Sequence, residues 1–245
     1  MNDILSNKIW IAIDTETTGL NPWKHELLEI GALRFSLEKD LESFEILIQP
    51  KKKQDPRARK VHNITNEELE EKGVTLDNAI PKFLEFIDND PLIFHNAPFD
   101  LSFLTLAIKE TKHPLPTNLY YDHLWLSRQY FPKRQSHSLE NIRTELNMSE
   151  EGAHRALYDA KATAEAFRVL LKQNIEKLTS EKKYNKFLRY HRKFNEFAIK
   201  LPQNLEKIQK YFDKIIKKKG FIKISYSDKT GYYKNQIVNP LELFI

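Results

Sequence analysis

Residues 9–13, Ile-Trp-Ile-Ala-Ile, are apolar without a break and rich in β-branched side chains, and Asp14 closes the run. That pattern predicts a strand buried on both faces. Leu27–Arg34 and Ser43–Gln49 predict two more strands, completing a meander. Lys51–Lys60 is a charged stretch around Pro56 and is expected to be a loop. Thr65–Glu71 has the chemistry of a helix start, and a second helix is expected over Asp77–Ile87. Pro91–His95 is a short apolar strand. Asn96 then stands as an N-cap, Pro98 suits the first turn, and Phe99–Lys109 has helical apolar spacing. Prolines 114, 116 and 132 punctuate the next stretch, before amphipathic helices over Ser138–Leu146 and Arg155–Leu171. Strands first, then strands alternating with helices, predict an α/β protein: a mixed sheet flanked by helices.

The pattern changes after residue 178. Residues 179–219 are lysine-rich and helical in spacing, with a break near Pro202. The helix expected over Tyr184–Leu201 carries Phe187, Tyr190, Phe194 and Phe197, whose rings should pack while most lysines face solvent. Lys217–Gly220 suits a helix end with glycine at the cap. Phe221–Tyr226 and Tyr233–Val238 alternate around Ser227–Gly231 as a hairpin should. The expected division is therefore 1–178 and 179–245, the second part a small basic helical and hairpin extension.

Charge follows the same division. The 245 residues carry 39 Lys and Arg against 34 Asp and Glu, a net of +5, with −5 falling in residues 1–178 and +10 in 179–245. An acidic body with a basic tail suits a protein that works on nucleic acid, and a solubilising lysine face would look the same. With no cysteine, disulfides, thiolate metal sites and a cysteine nucleophile are excluded. No apolar run approaches the ~20 residues of a membrane span, and no basic segment precedes an apolar one at the N-terminus. A soluble cytoplasmic protein is expected.

The chemistry lies in three places. Asp14 and Glu16 are two residues apart at the end of a buried strand and so face the same way. Side-by-side carboxylates repel unless a cation or a proton intervenes, and an oxygen-only donor set suits Mg²⁺ or Mn²⁺. Asp100 lies in the first turn of the helix after His95-Asn96. Asp159 sits five residues after His154; on one regular helix those side chains would point about 140° apart, so His154 belongs in the entering loop. Four carboxylates and a histidine at strand ends and helix starts can converge at one sheet edge. Two divalent ions held that way serve attack of water on a phosphodiester.

Ile13-Asp14-Thr-Glu-Thr-Thr-Gly-Leu20, His95-Asn-Ala-Pro-Phe-Asp100 and His154-Arg-Ala-Leu-Tyr-Asp159 resemble, in order, the three motifs of the DEDDh 3′–5′ exonucleases, the family of the polymerase III proofreading subunit. Val61-His-Asn-Ile-Thr65 and Ser136-His-Ser-Leu139 fit the same family, and the resemblance spans roughly residues 7–172. The tyrosine subclass would need a tyrosine where Arg155 stands. The resemblance implies an RNase H-like fold with a five-stranded mixed sheet. It implies two metal ions held by Asp14, Glu16, Asp100 and Asp159, with His154 as general base. It further implies that Thr15, Thr17, Thr18, Gly19, Leu20, His62, His95, Asn96 and Phe99 meet the terminal nucleotide, Leu20 as a wedge between bases and Phe99 as a stacking ring.

The activity implied is removal of nucleotides from single-stranded or frayed DNA 3′ ends, of proofreading or repair type. RNA 3′-end trimming is the alternative enzyme reading, and an inactive nucleic-acid-binding or adaptor module the alternative of another class. Ile222–Tyr226, Gly231 and Val238–Leu243 resemble the opening hairpin of a WYL domain, and Leu241-Glu-Leu-Phe244 resembles the end of a peptide that grips the bacterial sliding clamp. A polymerase or a clamp is accordingly a candidate partner, and a membrane is not.

Overall fold

The computed structural model describes residues 3–52, 54–148, 154–188, 191–199, 207, 210, 213–218, 222–227 and 233–238. They form two compact units, 1–199 and 200–245.

In the first unit a short helix α1 (Asp3–Ser6) leads into β1 (Ile9–Thr17), β2 (Leu27–Ser36) and β3 (Asp40–Leu47), an antiparallel meander. Three helices come next, α2 (Pro56–His62), α3 (Asn66–Lys72) and α4 (Leu76–Ile87). Then β4 (Leu92–Phe94) enters parallel to β1, and α5 (Ala97–Glu110) leaves it. The chain continues as β5 (Leu119–Asp122), α6 (His123–Tyr130), α7 (Leu139–Glu145) and α8 (Ala156–Gln173). It ends this unit with α9 (Glu181–Phe187) and a two-residue strand β6 (Arg192–Lys193). The sheet order is β3-β2-β1-β4-β5-β6, antiparallel on one side of β1 and parallel on the other until β6 reverses direction.

The sheet has six strands rather than the expected five. The sixth carries two exposed basic residues, so no apolar pattern marks it. The helix expected over Tyr184–Leu201 stops at Phe187, and the chain pairs with β5 instead. Its aromatics do pack: Tyr184, Phe187 and Phe194 are buried, and Trp10 donates to the Tyr184 hydroxyl at 3.0 Å. Residues 181–199 thus belong to the first compact unit, beyond the boundary expected at 178. The loop expected over Lys51–Lys60 contains most of α2, because Asp55 accepts from the Arg57 N–H and Pro56 opens the helix.

Each face of the sheet has its own core. Ile11, Ile13, Ile30, Ala32 and Phe94 pack against α4 and α5. Trp10, Ala12, Leu33, Phe35 and Ile93 pack against α6, α8 and α9. Alternation along β1 extends this assignment to its end. Asp14 and Glu16 follow Trp10 and Ala12 toward α8, while Thr15 follows Ile11 and Ile13 toward α5.

In the second unit β7 (Ile222–Ser227) and β8 (Tyr233–Val238) pair antiparallel, Ile222 opposite Val238, as the hairpin pattern requires. Residues 213–217 are helical. The break at Pro202, the cap at Gly220, the turn at 228–231 and Leu241–Phe244 lie outside the described residues. Among the described residues no helix is long and apolar enough to cross a membrane.

Candidate active site

β1 ends beside the N-terminus of α8, and the sheet makes room for that approach at one residue. Gly31 on β2 pairs with Asp14, and a Cβ there would stand 2.0 Å from the Leu157 nitrogen and 2.1 Å from the Ala156 carbonyl carbon. The backbone of α8 thus lies directly on the strand. This brings Asp159, in the first turn of α8, to the side of Asp14 and Glu16. One carboxylate oxygen from each of Asp14, Glu16 and Asp159 lies within 4.8 Å of the other two.

Asp100 reaches the same place from α5. It is buried, and the Thr15 hydroxyl donates to its Oδ1 at 2.8 Å. His154 stands just before α8 in a left-handed backbone conformation, φ 62°, which a histidine adopts only when its surroundings hold it there. Its backbone N–H donates to the Asp159 carboxylate. The histidine therefore lies in the entering loop, as the 140° separation required, and the three sequence segments meet at one sheet edge.

The electrostatics show what the cluster lacks. Burial, and then the charges of Asp100, Asp159, Glu16 and Glu29, hold the Asp14 carboxyl well above the usual carboxylate range. Burial and the same kind of crowding push Glu16 up to about 9, and burial pushes Asp100 to about 7. Asp159 is raised by burial, although Arg143 and His154 pull against that shift. Four carboxyls that resist ionising together make a site short of positive charge.

Two basic residues organise these acids. Arg143 of α7 is buried and ion-paired to Asp159. Arg155 lies against Glu29 of β2, its Nε and Nη2 donating at 3.1 and 2.7 Å to Oε1. Glu29, fully buried, also accepts from the Ala156 N–H at 2.8 Å, fixing the first turn of α8. Arg155 additionally contacts Glu68 of α3 at 3.3 Å. Glu29 had a sequence signal, a lone acid inside the run Leu-Leu-Glu-Ile-Gly-Ala-Leu. Arg143 had none, since nothing about α7 marks one arginine as buried.

The residues expected to meet the terminal nucleotide divide into two groups. Leu20 is 83% exposed, and Asn96 is exposed as well. Phe99 is half-buried, 5.2 Å from the Phe103 ring. The others are turned inward. Thr15 is spent on Asp100, Thr17 donates to the Gly19 carbonyl at 2.9 Å, and the Thr18 hydroxyl accepts from the Glu26 N–H. Gly19 lies under the His25 ring. His95 faces His123, their Nδ1 atoms 3.1 Å apart, and donates to the His137 carbonyl. His62 is buried, its Nδ1 accepting from the Ile64 N–H, and its Nε2 has no protein partner. Burial and the nearby Arg155 and Arg59 lower its pKa to about 4. The side chains of Thr15, Thr18 and His95 are thus engaged in contacts within the protein. Asn96 holds the N-cap position of α5, as expected. Its φ is 73°, its side chain makes no capping bond, and its backbone N–H donates to Asp122.

The family model for the RNase T exonucleases matches residues 11–167. A PolC-type DNA polymerase III from Thermotoga petrophila is 35% identical over 161 residues, 66% of this chain but 12% of that one. The chain therefore spans only a small part of the length of such relatives. The DNA polymerase III epsilon subunit of Salmonella typhimurium is 36% identical over 169 residues, 64% of this chain and 69% of the subunit. Escherichia coli exonuclease I, solved with a dT13 oligonucleotide, superposes with a TM-score of 0.62 at 15% identity. That match covers 74% of this chain and 46% of the other, and it shows a shared fold.

Proposed function

Because this chain belongs to the RNase T exonuclease family, we propose that it is a metal-dependent 3′–5′ exonuclease that hydrolyses single nucleotides from DNA 3′ ends, with His154 as the general base. The observation that carries this reading is the convergence of Asp14, Glu16 and Asp159, oxygens within 4.8 Å, next to a histidine held in a strained loop. The polymerase III relatives favour DNA over RNA as the substrate.

The site fits divalent ions. Its donors are all hard oxygens, suited to Mg²⁺ or Mn²⁺, and the raised carboxyl pKa values mark an unmet need for positive charge. Asp14, Glu16 and Asp159 would hold one ion and Asp14 would share in a second, with Asp100 completing the set. Bound there, the ions supply charge stabilisation to the phosphate and the leaving 3′-oxygen.

The chain's own groups do the rest. His154 takes the proton of the attacking water, a task an imidazole can perform around neutral pH. Glu29 and Arg155 fix the first turn of α8 and with it the peptide that carries His154. Arg143 holds the Asp159 carboxylate in one orientation. Leu20, which is exposed, would be the side chain against which a terminal base rests.

The test is a gel of 5′-labelled single-stranded DNA and matched RNA with Mg²⁺, Mn²⁺ or EDTA. A metal-dependent ladder shortening from the 3′ end of DNA is expected. Faster shortening of RNA would replace the substrate; no shortening of either would return the chain to a binding role. His154→Ala should lower kcat by about 10²–10⁴-fold and leave KM within about threefold. A rise in KM that accounts for the whole loss would remove the general-base assignment.

A further inference from the structure

An acidic site that must accept a polyanion needs cations nearby to offset repulsion. Residues 1–178 carry a net charge of −5, and four carboxylates cluster at the sheet edge. Most arginines of this unit do not help, because they are already neutralised. Arg34 pairs with Asp90, Arg134 with Glu145, Arg143 with Asp159, Arg155 with Glu29 and Arg168 with Asp40.

Helix α2 is different. Arg57, Arg59 and Lys60 are all exposed, and among the described residues none has a carboxylate within 4 Å. At ~100° per residue, Arg57, Lys60 and exposed Val61 share the face opposite buried His62, while Arg59 leans toward His62. The helix is tied to the site at both ends. The Asp55 N–H, at its cap, donates to the Thr18 carbonyl in the loop after Glu16 at 2.8 Å. His62, at its end, lies close enough to Arg155 and His154 to feel both charges. A basic two-turn helix, without an ion-pair partner among the described residues, thus bridges the loop of motif one and the loop of motif three.

We propose that α2 is the surface on which the substrate strand's phosphodiester backbone docks, through Arg57, Arg59 and Lys60, upstream of the bond being cut. This rests on the exonuclease reading for its mechanism, but it concerns binding and can be read separately. The cations supply what the cluster cannot, an attractive field along the path of the chain. They have no role in cutting a substrate too short to reach them.

The experiment uses the full chain and a fluorescein-labelled oligothymidylate in EDTA, with anisotropy read across a KCl series. The triple variant Arg57→Gln, Arg59→Gln, Lys60→Gln should bind at least tenfold more weakly at 50 mM KCl. Its slope of log K against log [KCl] should be shallower by about 2, since each phosphate contact on a single strand contributes about 0.7. A charge-matched control on α9, Lys182→Gln, Lys183→Gln, Lys186→Gln, should leave the slope unchanged. Hydrolysis of the p-nitrophenyl ester of thymidine 5′-monophosphate with Mn²⁺ should be the same in parent and α2 variant.

An unchanged slope in the α2 variant, or an equal change in the α9 control, overturns the proposal. So does an equal loss on the nitrophenyl ester, which would make α2 a support for the site. A parent that does not bind the oligonucleotide overturns it as well. A parent that binds but hydrolyses nothing removes the exonuclease reading and leaves this one standing.

Discussion

Replacing Asp14 by alanine should cut hydrolysis by about a thousandfold or more while making the metal-free protein more stable. The two effects have one cause. Asp14 stands at the centre of the acid cluster, facing Asp159 and Glu16, and losing an anchor for divalent ions forfeits several kcal/mol of transition-state stabilisation. The same carboxylate is costly without a cation. Its folded pKa, and those of Glu16 at about 9 and Asp100 at about 7, lie above the unfolded values near ~4. The folded state therefore holds more protons than the unfolded one through that window. Stability from these groups is fully present below about pH 4 and is lost as pH rises through the folded values, up to about 9 for Glu16. In EDTA the parent's Tm should fall from pH 5 to pH 8.5, Asp14→Ala should fall less, and the gap should narrow with Mn²⁺. Calorimetry across that range checks it. Turnover within tenfold of the parent, or no Tm gain in EDTA at pH 8, would falsify the assignment of Asp14 to the centre of the cluster.

The second large effect is expected at a residue with no chemistry. Gly31→Ala places a methyl carbon 2.0 Å from the Leu157 nitrogen, a backbone atom that cannot rotate away. Either β2 or α8 must move. We expect a loss of about 3 kcal/mol or more, beyond the usual cost of overpacking because the clash is with backbone. Activity should fall as well, since α8 carries Asp159 and follows His154. Urea denaturation gives the first quantity and oligonucleotide degradation the second. A variant within about 0.5 kcal/mol of the parent with full activity would show that α8 does not lie on the strand.

Most of this architecture was legible in the pattern of the chain. The runs at Trp10–Ile13, Leu27–Leu33 and Leu92–Phe94 are buried strands because their side chains leave no face for solvent. The three acidic segments were legible for a chemical reason: carboxylates at the ends of such strands and the starts of helices need a common partner. What escaped was short or locally ambiguous. β5 is four residues between prolines, and β6 is two exposed basic residues, so neither carries a period. α2 was hidden by charge, although Asp55-Pro56 is a helix start. The contacts of Thr15 with Asp100 and of His95 with His123 join residues 85 and 28 positions apart, which sequence order does not bring together.

Glu29 lies opposite Glu16 across the β1–β2 ladder, and the two acids have unlike duties. One is offered to the open site; the other is sealed against Arg155 and the first turn of α8. Changing Arg155 alone leaves the buried Glu29 charge without its counterpart, whereas changing both can be mild. Across descendants of this chain, positions 29 and 155 should behave as a single inherited character. A genetic screen scoring only nuclease function would then count Glu29 among the catalytic acids, although its carboxylate is spent on Arg155 and the Ala156 N–H.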